Sequence, residues 1–352
     1  MEPTPNQKVT IYTIAKEAGV SPATVSRVLT NSANVRPEKR ERIEELIHKY
    51  NFMPSALARG LTDTRRMIIG IITADVRNSF YADVYTACEN AASKAGYTML
   101  LLNSFGDRDT EKRQIKKLLE QRVDAIIQLG GAADDVETDT GYAKQVKIAV
   151  KSLPFVVTGK VDGADCNIVR VDAERALELL VEHLVYNGNK RIALVGGRID
   201  VVSTKAKYEH FLKIADKYHL DTNPVYLENW GGYRVDKGLR SMDALFDKCH
   251  KQGIPYPDAV IAVNDLTAVG VIKSIERHGL RIPEDIAVVG YDNIDIDEII
   301  EPNITTIDYN YAVFGEMLVS TAIAGIEGTS VEKQRNIEPN IVIRESSDIK
   351  RV

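Results

Sequence analysis

A glycine turn between two short helix signals near the amino terminus restricts the fold of this chain more than any other feature. The segment Thr13–Ala18 has apolar residues at helical spacing, and Gly19 supplies the tight turn after it. Ser21 can cap a second helix, and Pro22 then occupies its first position, where the missing N–H costs nothing. A third amphipathic segment begins at Pro37 and completes a small core. The sequence therefore predicts a three-helix unit of the helix-turn-helix type.

The second helix of this unit carries side chains suited to DNA. Thr24 and Ser26 are short hydroxyls that fit phosphate oxygens, whereas the forked guanidinium of Arg27 can bind the O6/N7 edge of guanine. Pro22 and Ala23 offer apolar surface that suits a thymine methyl group. On these residues alone, the alternative is a small helical bundle with no role on DNA. The segment that follows the third helix favours the DNA-binding interpretation.

The amino-terminal region contains a run of short motifs with specific spacing. They are Val9–Tyr12, Ala15, Ala18–Ser21, Thr24–Leu29, Asn34–Val35, Arg40 and Asn51–Leu61. Together these motifs resemble the headpiece and hinge of the lactose-repressor/galactose-repressor (LacI/GalR) family of bacterial transcription regulators. Thr30 departs from the family, which commonly has asparagine at that position, and this change affects one backbone contact rather than the motif.

The resemblance implies that Ser55–Leu61 forms a hinge helix on operator DNA. In the family, the paired hinge helices of a dimer enter the minor groove, and by resemblance Leu61 is the leucine that partly unstacks the central base step. Operators of this kind usually have a central CpG, so we expect a pseudo-palindromic operator with that centre. The predicted DNA contacts are Thr10, Tyr12, Ser21, Pro22, Ala23, Thr24, Ser26, Arg27, Asn34, Ser55, Ala58, Arg59 and Leu61.

The distribution of charge places a DNA surface in this region. Residues through Arg66 carry eleven Lys/Arg and seven Asp/Glu side chains, a net charge of +4, although the whole chain has a net charge of −5. The remaining residues therefore carry a net charge of −9. The amino-terminal unit is the basic part of an acidic protein, which predicts salt-sensitive binding to nucleic acid there.

From Met67 onward, short β-branched strands alternate with amphipathic helices. Two consecutive series of this kind predict an α/β core of two doubly wound parallel sheets side by side. The predicted strands are Met67–Thr73, Thr98–Asn103, Ala125–Gln128 and Phe155–Val157 in the first series, and Arg191–Val195, Val225–Leu227, Ala259–Val263 and Ile286–Gly290 in the second. The predicted helices lie near Tyr81–Ala95, Asp109–Gln121, Ala173–Asn187, Thr204–Tyr218, Asp236–Lys251 and Leu266–His278.

The domains follow from this change of pattern. We predict a helix-turn-helix headpiece at 8–54, a hinge helix and linker at 55–66, and a core at 67–352. The resemblance adds that the core is of periplasmic-binding-protein type and that the chain crosses three times between its two subdomains, the last crossings lying near Ile294–Thr306 and Ile326–Glu332. We therefore place the N-subdomain at about 67–165 and 307–327, and the C-subdomain at about 166–295 and 328–352.

Polar and aromatic side chains stand where the predicted strands end. Asp75, Asn78 and Phe80 follow the first strand, and Asp292 follows the last strand of the second series. Ligands of parallel α/β sheets bind beyond the carboxyl ends of the strands, so the cleft between the two subdomains is the expected pocket. A carboxylate such as Asp292 can accept two neighbouring hydroxyls. For the residues after the first strand, the alternative is a loop that caps the next helix.

The resemblance assigns further ligand contacts to this cleft. Asn264 and Asp292 match ligand positions of the family, and Tyr233 matches the aromatic on which its ligands pack. Asp162 matches a sugar-contacting acid, and Asp265 beside Asn264 is also suited to cap the next helix. The predicted effector contacts are Asp75, Asn78, Phe80, Asp162, Lys207, Tyr233, Asn264 and Asp292.

Two departures from the family bear on the ligand. Lys207 stands where the family has an arginine that grips sugar or carboxylate groups, and Tyr309 replaces a frequent glutamine. Lysine keeps the positive charge but loses the bidentate fork. Lys207 can still bind a phosphate or carboxylate group of a ligand. It cannot form the two parallel hydrogen bonds that an arginine would form with such a group. The alternative is that either change is a neutral substitution at the protein surface. We therefore assign none of the family's known effectors to this chain.

The sequence lacks the motifs of several other functional classes. It has no G-x-G-x-x-G after a strand, no G-x-x-x-x-G-K-[ST] phosphate loop and no G-x-S-x-G nucleophile motif. Its six histidines form no H-x-x-x-H pair, and its three cysteines are far apart, which predicts reduced structural thiols. We therefore predict a binding protein without cofactor or metal rather than an enzyme.

The compartment is also predicted from the sequence. No apolar stretch approaches the roughly 20 residues of a membrane span, and Met1–Lys8 lacks the apolar run of a signal peptide. We expect the protein to remain in the cytoplasm, without membrane contact. A sugar-binding transport protein, which the core alone would allow, is disfavoured by the headpiece and by the missing signal peptide.

These features predict a ligand-responsive transcription regulator, a repressor that binds operator DNA as a homodimer. A small-molecule effector in the cleft, a sugar or a related metabolite, would change its DNA affinity. One branch of the family uses a phosphoprotein corepressor instead, and the sequence leaves that alternative open. No leucine heptads follow Ile341–Ile343, so we expect a dimer rather than a tetramer built by a C-terminal helix.

Overall fold

The computed structural model describes residues 9–29, 35–50, 52 and 65–348. The chain divides into two compact units, Met1–Arg66 and Met67–Val352. This division falls where the sequence changes from a basic helical pattern to alternating strands and helices. Of the predicted hinge helix and linker, residues 55–64 lie outside the described residues.

Three helices form the described part of the amino-terminal unit. They are α1 (Ile11–Glu17), α2 (Pro22–Leu29) and α3 (Pro37–Lys49). Gly19, in the turn between α1 and α2, has a φ of +63°, which glycine adopts without steric strain. The Ser21 Oγ accepts a hydrogen bond from the Thr24 backbone N–H at 3.3 Å. The glycine turn, the serine cap and the proline start of α2 are therefore as the sequence predicts.

A small apolar core joins these helices. Ile14, Val25 and Ile43, one from each helix, are fully buried and pack in the same cluster. The Tyr50 hydroxyl donates a hydrogen bond to the Glu17 Oε2 at 2.6 Å and so ties the end of α3 back to α1. The helical spacing of the apolar residues thus produces the three-helix unit expected from the sequence.

The second unit contains twelve strands and eight α-helices among its described residues. The strands are β1 (Ile68–Thr73), β2 (Thr98–Asn103), β3 (Ala125–Leu129), β4 (Phe155–Val157), β5 (Asn167–Val171), β6 (Ile192–Val195), β7 (Leu227–Glu228), β8 (Ala259–Ala262), β9 (Ala287–Val289), β10 (Thr306–Asp308), β11 (Gln334–Ile337) and β12 (Asn340–Val342). The helices are α4 (Ser79–Lys94), α5 (Arg108–Gln121), α6 (Thr140–Ala149), α7 (Ala173–Tyr186), α8 (Val202–Lys217), α9 (Val235–Gln252), α10 (Asp265–Arg277) and α11 (Tyr311–Glu327).

The strands form two parallel sheets and one antiparallel pair. The first sheet has the order β11-β5-β4-β3-β1-β2, and the second has the order β7-β6-β8-β9. β10 and β12 pair with each other in antiparallel fashion. Non-consecutive neighbours such as β1 and β3 require crossover helices, as in doubly wound folds. The predicted fold class is therefore confirmed.

Helices cover both faces of the first sheet, which explains why its strands are apolar throughout. Ile69 and Ile71 of β1 belong to the apolar cluster that contains Val84 of α4. Ile72, on the opposite face, belongs to the cluster that contains Leu118 of α5. A parallel strand with buried neighbours on both faces is a nearly continuous apolar run, and this is the pattern that the sequence shows.

In the second sheet region, α9 and α10 pack with their main chains in direct contact. A Cβ atom at Gly238 of α9 would lie 2.2 Å from the Thr267 carbonyl oxygen of α10. A Cβ atom at Gly270 of α10 would lie 2.1 Å from the Val235 carbonyl oxygen of α9. Because both approaches are to backbone atoms, only glycine fits at these two helix positions.

The predicted subdomain boundaries are wrong at two strands. β5 and β11 lie in the first sheet, where Gln334 is in register with Ile168, although we predicted that 166–295 and 328–352 belong to the C-subdomain. The alternation of strands and helices gives the order of the elements, but it does not show which sheet accepts a given strand. The first subdomain therefore extends through Val171 and includes 334–337.

One predicted strand is also wrong. Val225–Leu227 is a 3-10 turn at Pro224–Tyr226 followed by the two-residue strand β7. Pro224 has no N–H to donate to a strand, and the Asn223 Oδ1 accepts a hydrogen bond from the Val225 N–H at 3.0 Å, which favours a turn. In addition, β5, β10, β11, β12, α6 and α11 are elements that the sequence analysis did not predict.

The three cysteines are buried and free of disulfide bonds. They are Cys88, Cys166 and Cys249. Burial raises the pKa of the Cys88 thiol to about 12, so that it is not a nucleophile near neutral pH.

None of the helices in the described residues has the length and apolarity that a bilayer crossing requires.

Candidate ligand cleft and nucleic-acid interface

The predicted DNA contacts in the described part of the first unit lie at its surface. Val25 and Val28 of α2 are buried in the headpiece core, whereas Arg27 is exposed. Tyr12, at the start of α1, is 70% exposed. The exposed residues of the predicted set are Thr10, Tyr12, Ser21, Ala23 and Arg27, and the partly buried ones are Pro22, Thr24 and Ser26.

Several of these hydroxyls also define where the helices begin. The Thr13 N–H donates to the Thr10 Oγ1 at 3.4 Å, and the Thr10 N–H donates to the Thr13 Oγ1 at 3.2 Å, which forms a reciprocal cap on α1. The Ser21 Oγ and the Thr24 Oγ1 are 2.9 Å apart. These hydrogen bonds fix where α1 and α2 begin. The predicted contacts Asn34, Ser55, Ala58, Arg59 and Leu61 lie outside the described residues.

In the second unit, a cleft of about 1280 Å³ lies at the carboxyl ends of both parallel sheets. Asp75 follows β1 and Asp134 follows β3 on the side of the first sheet. Tyr233 follows β7 and Asp292 follows β9 on the side of the second sheet. Parallel sheets bind ligands at this edge because loops from neighbouring strands converge there. The cleft therefore collects side chains from both subdomains.

The structure brings seven of the eight predicted effector contacts to this cleft. The lining residues among them are Asp75, Asn78, Phe80, Lys207, Tyr233, Asn264 and Asp292. Asp162 is not among the lining residues: its side chain is 61% exposed and accepts a hydrogen bond from the Lys160 Nζ at 3.2 Å. Because Asp162 is paired at the surface, its assignment to the pocket does not agree with the structure.

Asn264 and the neighbouring Asp265 have roles that differ from the simplest expectation. Asn264 is the residue that caps α10, since its Oδ1 accepts hydrogen bonds from the N–H and the hydroxyl of Thr267 at 3.1 and 2.5 Å. Its Nδ2 donates to the Tyr233 carbonyl oxygen at 3.2 Å. Asp265, which we considered as the cap, is fully buried behind the cleft. Asn264 therefore holds Tyr233 and α10 in place at the wall of the cleft.

Lys207, Asp134 and Asp292 form a charged group at the inner end of the cleft. The Lys207 Nζ lies 4.2 Å from the centre of the Tyr291 ring. Burial lowers the pKa of Lys207, whereas the carboxylates of Asp292 and Asp134 act to raise it. Burial raises the pKa of Asp292 to about 7, against the opposing effect of Lys207, and burial likewise raises the pKa of Asp134 to about 7. Lys207 therefore interacts with both carboxylates, and Asp135 acts with burial to raise the pKa of Asp134.

The sequence analysis missed Asp134, which comes from the first subdomain. It follows Gly130 and Gly131, both with positive φ, directly after β3. The buried Glu111 holds this turn, because its Oε2 accepts a hydrogen bond from the Ala132 N–H at 2.9 Å. Two glycines and two aspartates after an apolar strand were the signal that could have identified this position.

Aromatic rings form the walls of the inner cleft. Phe80 packs edge-on against Tyr81 at 5.1 Å and against Tyr309 at 6.1 Å between ring centres. Tyr291 is 1% exposed and its hydroxyl has no hydrogen-bond partner among the described residues. Tyr309 lines the cleft and acts to lower the pKa of Asp292, against the larger opposing effect of burial. The position that departs from the family thus contributes directly to the cleft. Trp230, by contrast, is 49% exposed and does not line it.

Three arginines around the cleft are bound by carboxylates, two of them by a carboxylate of the same loop. The Arg77 guanidinium donates to Asp75 through Nε at 2.9 Å and Nη2 at 2.7 Å. The Arg108 Nε donates to the Asp135 Oδ2 at 2.7 Å. The third pair is Arg198 with Asp200, at 3.0 and 2.5 Å. Asp75, predicted as an effector contact, lines the cleft with its carboxylate occupied by Arg77.

The two subdomains also meet along one rim of the cleft through main-chain atoms. The Val136 N–H donates to the Asp200 carbonyl oxygen at 2.9 Å, and Asp135 forms an antiparallel bridge with Val201. Val136 belongs to the loop after β3, whereas Asp200 and Val201 precede α8. We call this contact between 135–136 and 200–201 the rim seam.

Behind the cleft, Asp265 binds the segments that connect the subdomains. Its Oδ1 accepts a hydrogen bond from the Thr306 hydroxyl at 2.7 Å, and its Oδ2 accepts one from the Ile294 N–H at 3.3 Å. The Tyr311 hydroxyl donates to the Asp292 carbonyl oxygen at 2.5 Å. Residues 292–311 thus link the floor of the cleft to the segment that crosses between the subdomains.

Comparison with known proteins finds a matching protein family for each of the two units. Residues 10–55 match the family described as bacterial regulatory proteins, lacI family, and residues 181–347 match a periplasmic binding protein-like domain. Catabolite control protein A of Staphylococcus epidermidis is 32% identical over 311 residues, which are 85% of this chain and 87% of that protein. The HTH-type transcriptional repressor PurR of Aliivibrio fischeri is 29% identical over 342 residues, 96% of this chain and 98% of that protein.

Solved structures show the same fold. A lac repressor dimer bound to operator and the anti-inducer ONPF has a TM-score of 0.84 at 26% identity, covering 97% of this chain and 99% of that one. The complex of the transcriptional regulator CelR with cellobiose has a TM-score of 0.70 at 24% identity, covering 96% of this chain and 100% of that one. At 24% identity, the likeness to CelR shows a shared fold alone.

Proposed function

The chain belongs to the LacI family of bacterial regulatory proteins, and from this premise we propose that it is a ligand-responsive transcriptional repressor. It binds a pseudo-palindromic operator as a homodimer, and a sugar or related small metabolite in the cleft changes its affinity for DNA. The observation that carries the proposal is the combination, in one chain, of a surface recognition helix with a cleft lined from two subdomains.

On the DNA side, α2 is the element that supports the proposal. Its buried face fixes it to α1 and α3, and its exposed face presents Ala23 and Arg27. A recognition helix of this kind reads base edges in the major groove from its leading turns. In the structure of the lac repressor, a dimer is bound to operator. We propose the same assembly for this chain, with one headpiece on each half-site.

On the ligand side, the cleft couples the two subdomains. Asp134 comes from the first subdomain, whereas Lys207 and Asp292 come from the second, so a ligand that contacts all three favours one arrangement of the subdomains over others. Such differential binding is what shifts a conformational equilibrium. A coupling of about 1.4 kcal/mol would change operator affinity about tenfold.

The proposal is tested by measuring operator selection and ligand-dependent melting with the purified full chain. We expect selected DNA to be pseudo-palindromic with a central CpG. We also expect one class of small metabolite to raise the melting temperature, because a ligand at 100 times its Kd adds about 2.7 kcal/mol of stability. Selection of no defined DNA sequence would contradict the proposed function.

A second candidate function is a repressor whose activity is controlled by a phosphoprotein corepressor rather than by a small metabolite. Several relatives are named catabolite control protein A, and a regulator of that type driven by a phosphoprotein is the alternative that we retain. Failure of every small metabolite to raise the melting temperature, together with defined operator selection, would favour this candidate. The proposal contains no catalytic step, in agreement with relatives that are regulators.

Arg27 provides a specific test of the recognition helix. We expect Arg27→Ala to weaken binding to the selected operator by roughly 1–3 kcal/mol and to relax the preference at one base pair of each half-site. Arg42→Ala is the matched control, because Arg42 is an exposed arginine of α3 with a 3.5 Å ion pair to Glu45. It removes the same charge from the same unit.

The measurement is fluorescence anisotropy with the operator and with variants of single base pairs, at two salt concentrations. Loss of a phosphate contact would weaken binding to all sequences and reduce the salt dependence. If Arg27→Ala and Arg42→Ala weaken binding equally across all sequences, Arg27 does not read a base.

A further inference from the structure

Two carboxyl groups lie side by side in the protein interior behind the cleft. They belong to Asp265, the first residue of α10, and to Asp297, in the 3-10 segment Asp295–Glu298. We propose that these two carboxyls share one proton at neutral pH, and that the resulting hydrogen bond holds the 3-10 segment against α10. Neither residue is among those that line the cleft, and the inference does not depend on the proposed function.

The main chain of Ile294 places the two side chains next to each other. Its N–H donates a hydrogen bond to the Asp265 Oδ2 at 3.3 Å. Its carbonyl oxygen accepts a hydrogen bond from the Asp297 N–H at 2.9 Å. The 3-10 segment is thereby folded over the start of α10, and the two carboxyls come within hydrogen-bonding distance of each other.

The carboxyl of Asp265 is enclosed on its other sides. A Cβ atom at Gly290, directly after β9, would lie 2.1 Å from the Asp265 Oδ1, so the glycine leaves the space that this carboxyl occupies. The same Oδ1 accepts a hydrogen bond from the Thr306 hydroxyl at 2.7 Å. Because Asp265 is 0% exposed, water does not solvate its charge.

Asp297 supplies the observation that requires a proton. Its side chain is also 0% exposed, and neither of its carboxyl oxygens has a hydrogen-bond partner among the N–H and O–H groups of the described residues. An ionised carboxylate only accepts hydrogen bonds, so two ionised carboxylates in contact leave these oxygens unsatisfied and repel each other. A single proton converts one carboxyl into a donor and gives Asp297 its missing partner.

The local charges indicate which carboxyl carries the proton. Burial raises the pKa of Asp265 well above its ordinary value, and the carboxylates of Asp297 and Asp292 act in the same direction. Burial also raises the pKa of Asp297, whereas the hydrogen bond with Asp265 and the charge of Arg344 act to lower it. The proton therefore resides mainly on Asp265, and Asp297 accepts the hydrogen bond.

The other charged and titratable groups that face the pair do not replace the proton. Arg344 uses its Nη2 on the Glu298 Oε1 and the Asn293 Oδ1, both at 2.8 Å. Glu298 itself acts to raise the pKa of Asp297. The remaining groups near the pair are Lys207, Tyr309 and Tyr311. Within the described part of the chain, no cationic side chain lies within 4.0 Å of either carboxyl of the pair, so a proton is what balances it.

The shared proton acts on the segment that crosses between the subdomains, residues 292–306. Asp265 binds this crossing segment at Ile294 and at Thr306. The Asp297 carbonyl oxygen accepts a hydrogen bond from the Ile304 N–H at 2.9 Å, within the same segment. Loss of the proton would place two negative charges in a space without water. We therefore expect the crossing segment to loosen as the pH rises.

Infrared difference spectroscopy of the full chain at pH 8 tests for the proton directly, because a protonated carboxyl has a carbonyl stretch that a carboxylate lacks. The buried acids with a pKa of about 7 are mostly ionised at this pH. We expect the wild-type protein to show the band and Asp265→Asn to lose it. Asp297→Asn should lose or shift the band, because the proton loses its carboxylate acceptor.

Asp295→Asn is the matched control, since Asp295 is an exposed aspartate of the same 3-10 segment. Its band should have the position and the intensity of the wild-type band. The proposal is wrong if the wild-type protein shows no band at pH 8 or if Asp265→Asn retains it. An unchanged band in Asp297→Asn would also overturn the proposal, because Asp265 would then hold its proton without a partner.

Chemical denaturation as a function of pH measures what the proton does for the fold. A group whose pKa is raised in the folded state favours folding below the ordinary aspartate pKa of about 4, and this stability is lost as the pH rises through the folded-state pKa. One extra proton in the folded state makes the unfolding constant rise about tenfold per pH unit. From pH 5 to pH 7, we expect a rise about a hundredfold larger for the wild-type protein than for Asp265→Asn/Asp297→Asn.

In this double variant, an amide N–H can make the same contact without a titrating proton. Asp295→Asn should follow the wild-type protein, and equal pH dependence of the double variant and the wild-type protein would overturn the proposal. Should the double variant not unfold cooperatively, Asp297→Asn replaces it, with a smaller difference expected in the same direction. Hydrogen exchange then locates the effect: from pH 6 to pH 8, residues 292–306 of the wild-type protein should lose more protection than β8. Equal losses would show that the proton does not hold the crossing segment.

Discussion

Replacing Gly238 by alanine is expected to lower the free energy of unfolding of the core by about 2–3 kcal/mol. Alanine is normally favoured over glycine inside a helix by about 1 kcal/mol, so the expected sign opposes helix propensity. The reason is the contact of α9 with α10, where the added Cβ would lie 2.2 Å from the Thr267 carbonyl oxygen. The two helices would have to separate, and the apolar cluster beneath them would lose its close packing.

The measurement is chemical denaturation of Gly238→Ala beside Gly141→Ala, a glycine-to-alanine change in α6. A Cβ at Gly141 would lie 3.2 Å from the Lys112 Nζ and 3.3 Å from the Asp139 Oδ1, which are side-chain rather than main-chain atoms. We expect Gly141→Ala to be neutral or slightly stabilising. Equal effects of the two substitutions would mean that the main-chain contact of α9 with α10 does not limit the packing.

Replacing Asp292 by asparagine is expected to abolish the response to the effector and to stabilise the ligand-free core at high pH. Asparagine keeps the shape of aspartate but removes the charge that accepts two hydroxyl hydrogen bonds. A compound that raises the melting temperature of the wild-type protein should then have no effect on the variant. Operator affinity without ligand should stay unchanged, because the headpiece is intact.

The pH dependence follows from the direction of the pKa shift. Burial raises the pKa of Asp292 to about 7, so that ionisation of this group opposes folding. That penalty is absent below the ordinary aspartate pKa of about 4, grows as the pH rises toward 7, and is complete above it. The stability gained by Asp292→Asn should therefore appear at pH 8 and vanish near pH 4.

Asp295→Asn provides the comparison, since Asp295 is exposed in the same loop. The measurement is thermal melting of both variants and the wild-type protein at pH 4 and pH 8. Each melt is recorded with and without a compound that raises the melting temperature of the wild-type protein. A normal ligand response of Asp292→Asn would remove Asp292 from the pocket. A gain of stability that is the same at pH 4 and at pH 8 would contradict the buried charge.

Local signals in the sequence predicted the headpiece and most of the core elements. Gly19, Ser21 and Pro22 act through the backbone of their own turn, so their effect does not depend on distant residues. The apolar strands of the sheets are similarly local, because burial on both faces requires a continuous apolar run. The position of the cleft at the strand ends then followed from topology.

What the sequence did not reveal depends on partners far apart in the chain. β11 joins β5 across more than 160 residues, and no local pattern indicates which sheet a strand enters. Asp162 and Asp134 are both acids in loops after strands, yet only Asp134 lines the cleft. The difference lies in tertiary contacts: Glu111 holds the turn before Asp134, whereas Lys160 pairs with Asp162 at the surface.

The rim seam has a consequence for the kinetics of ligand exchange. The hydrogen bond from the Val136 N–H to the Asp200 carbonyl oxygen joins main-chain atoms, so substitution of side chains leaves both partners in place. A molecule held in the cleft departs either past the opposite rim or after the seam has parted. We therefore expect the residence time of the proposed effector to depend on a backbone opening step as well as on its own contacts. Two effectors of equal affinity would then hold the protein in one state for different lengths of time.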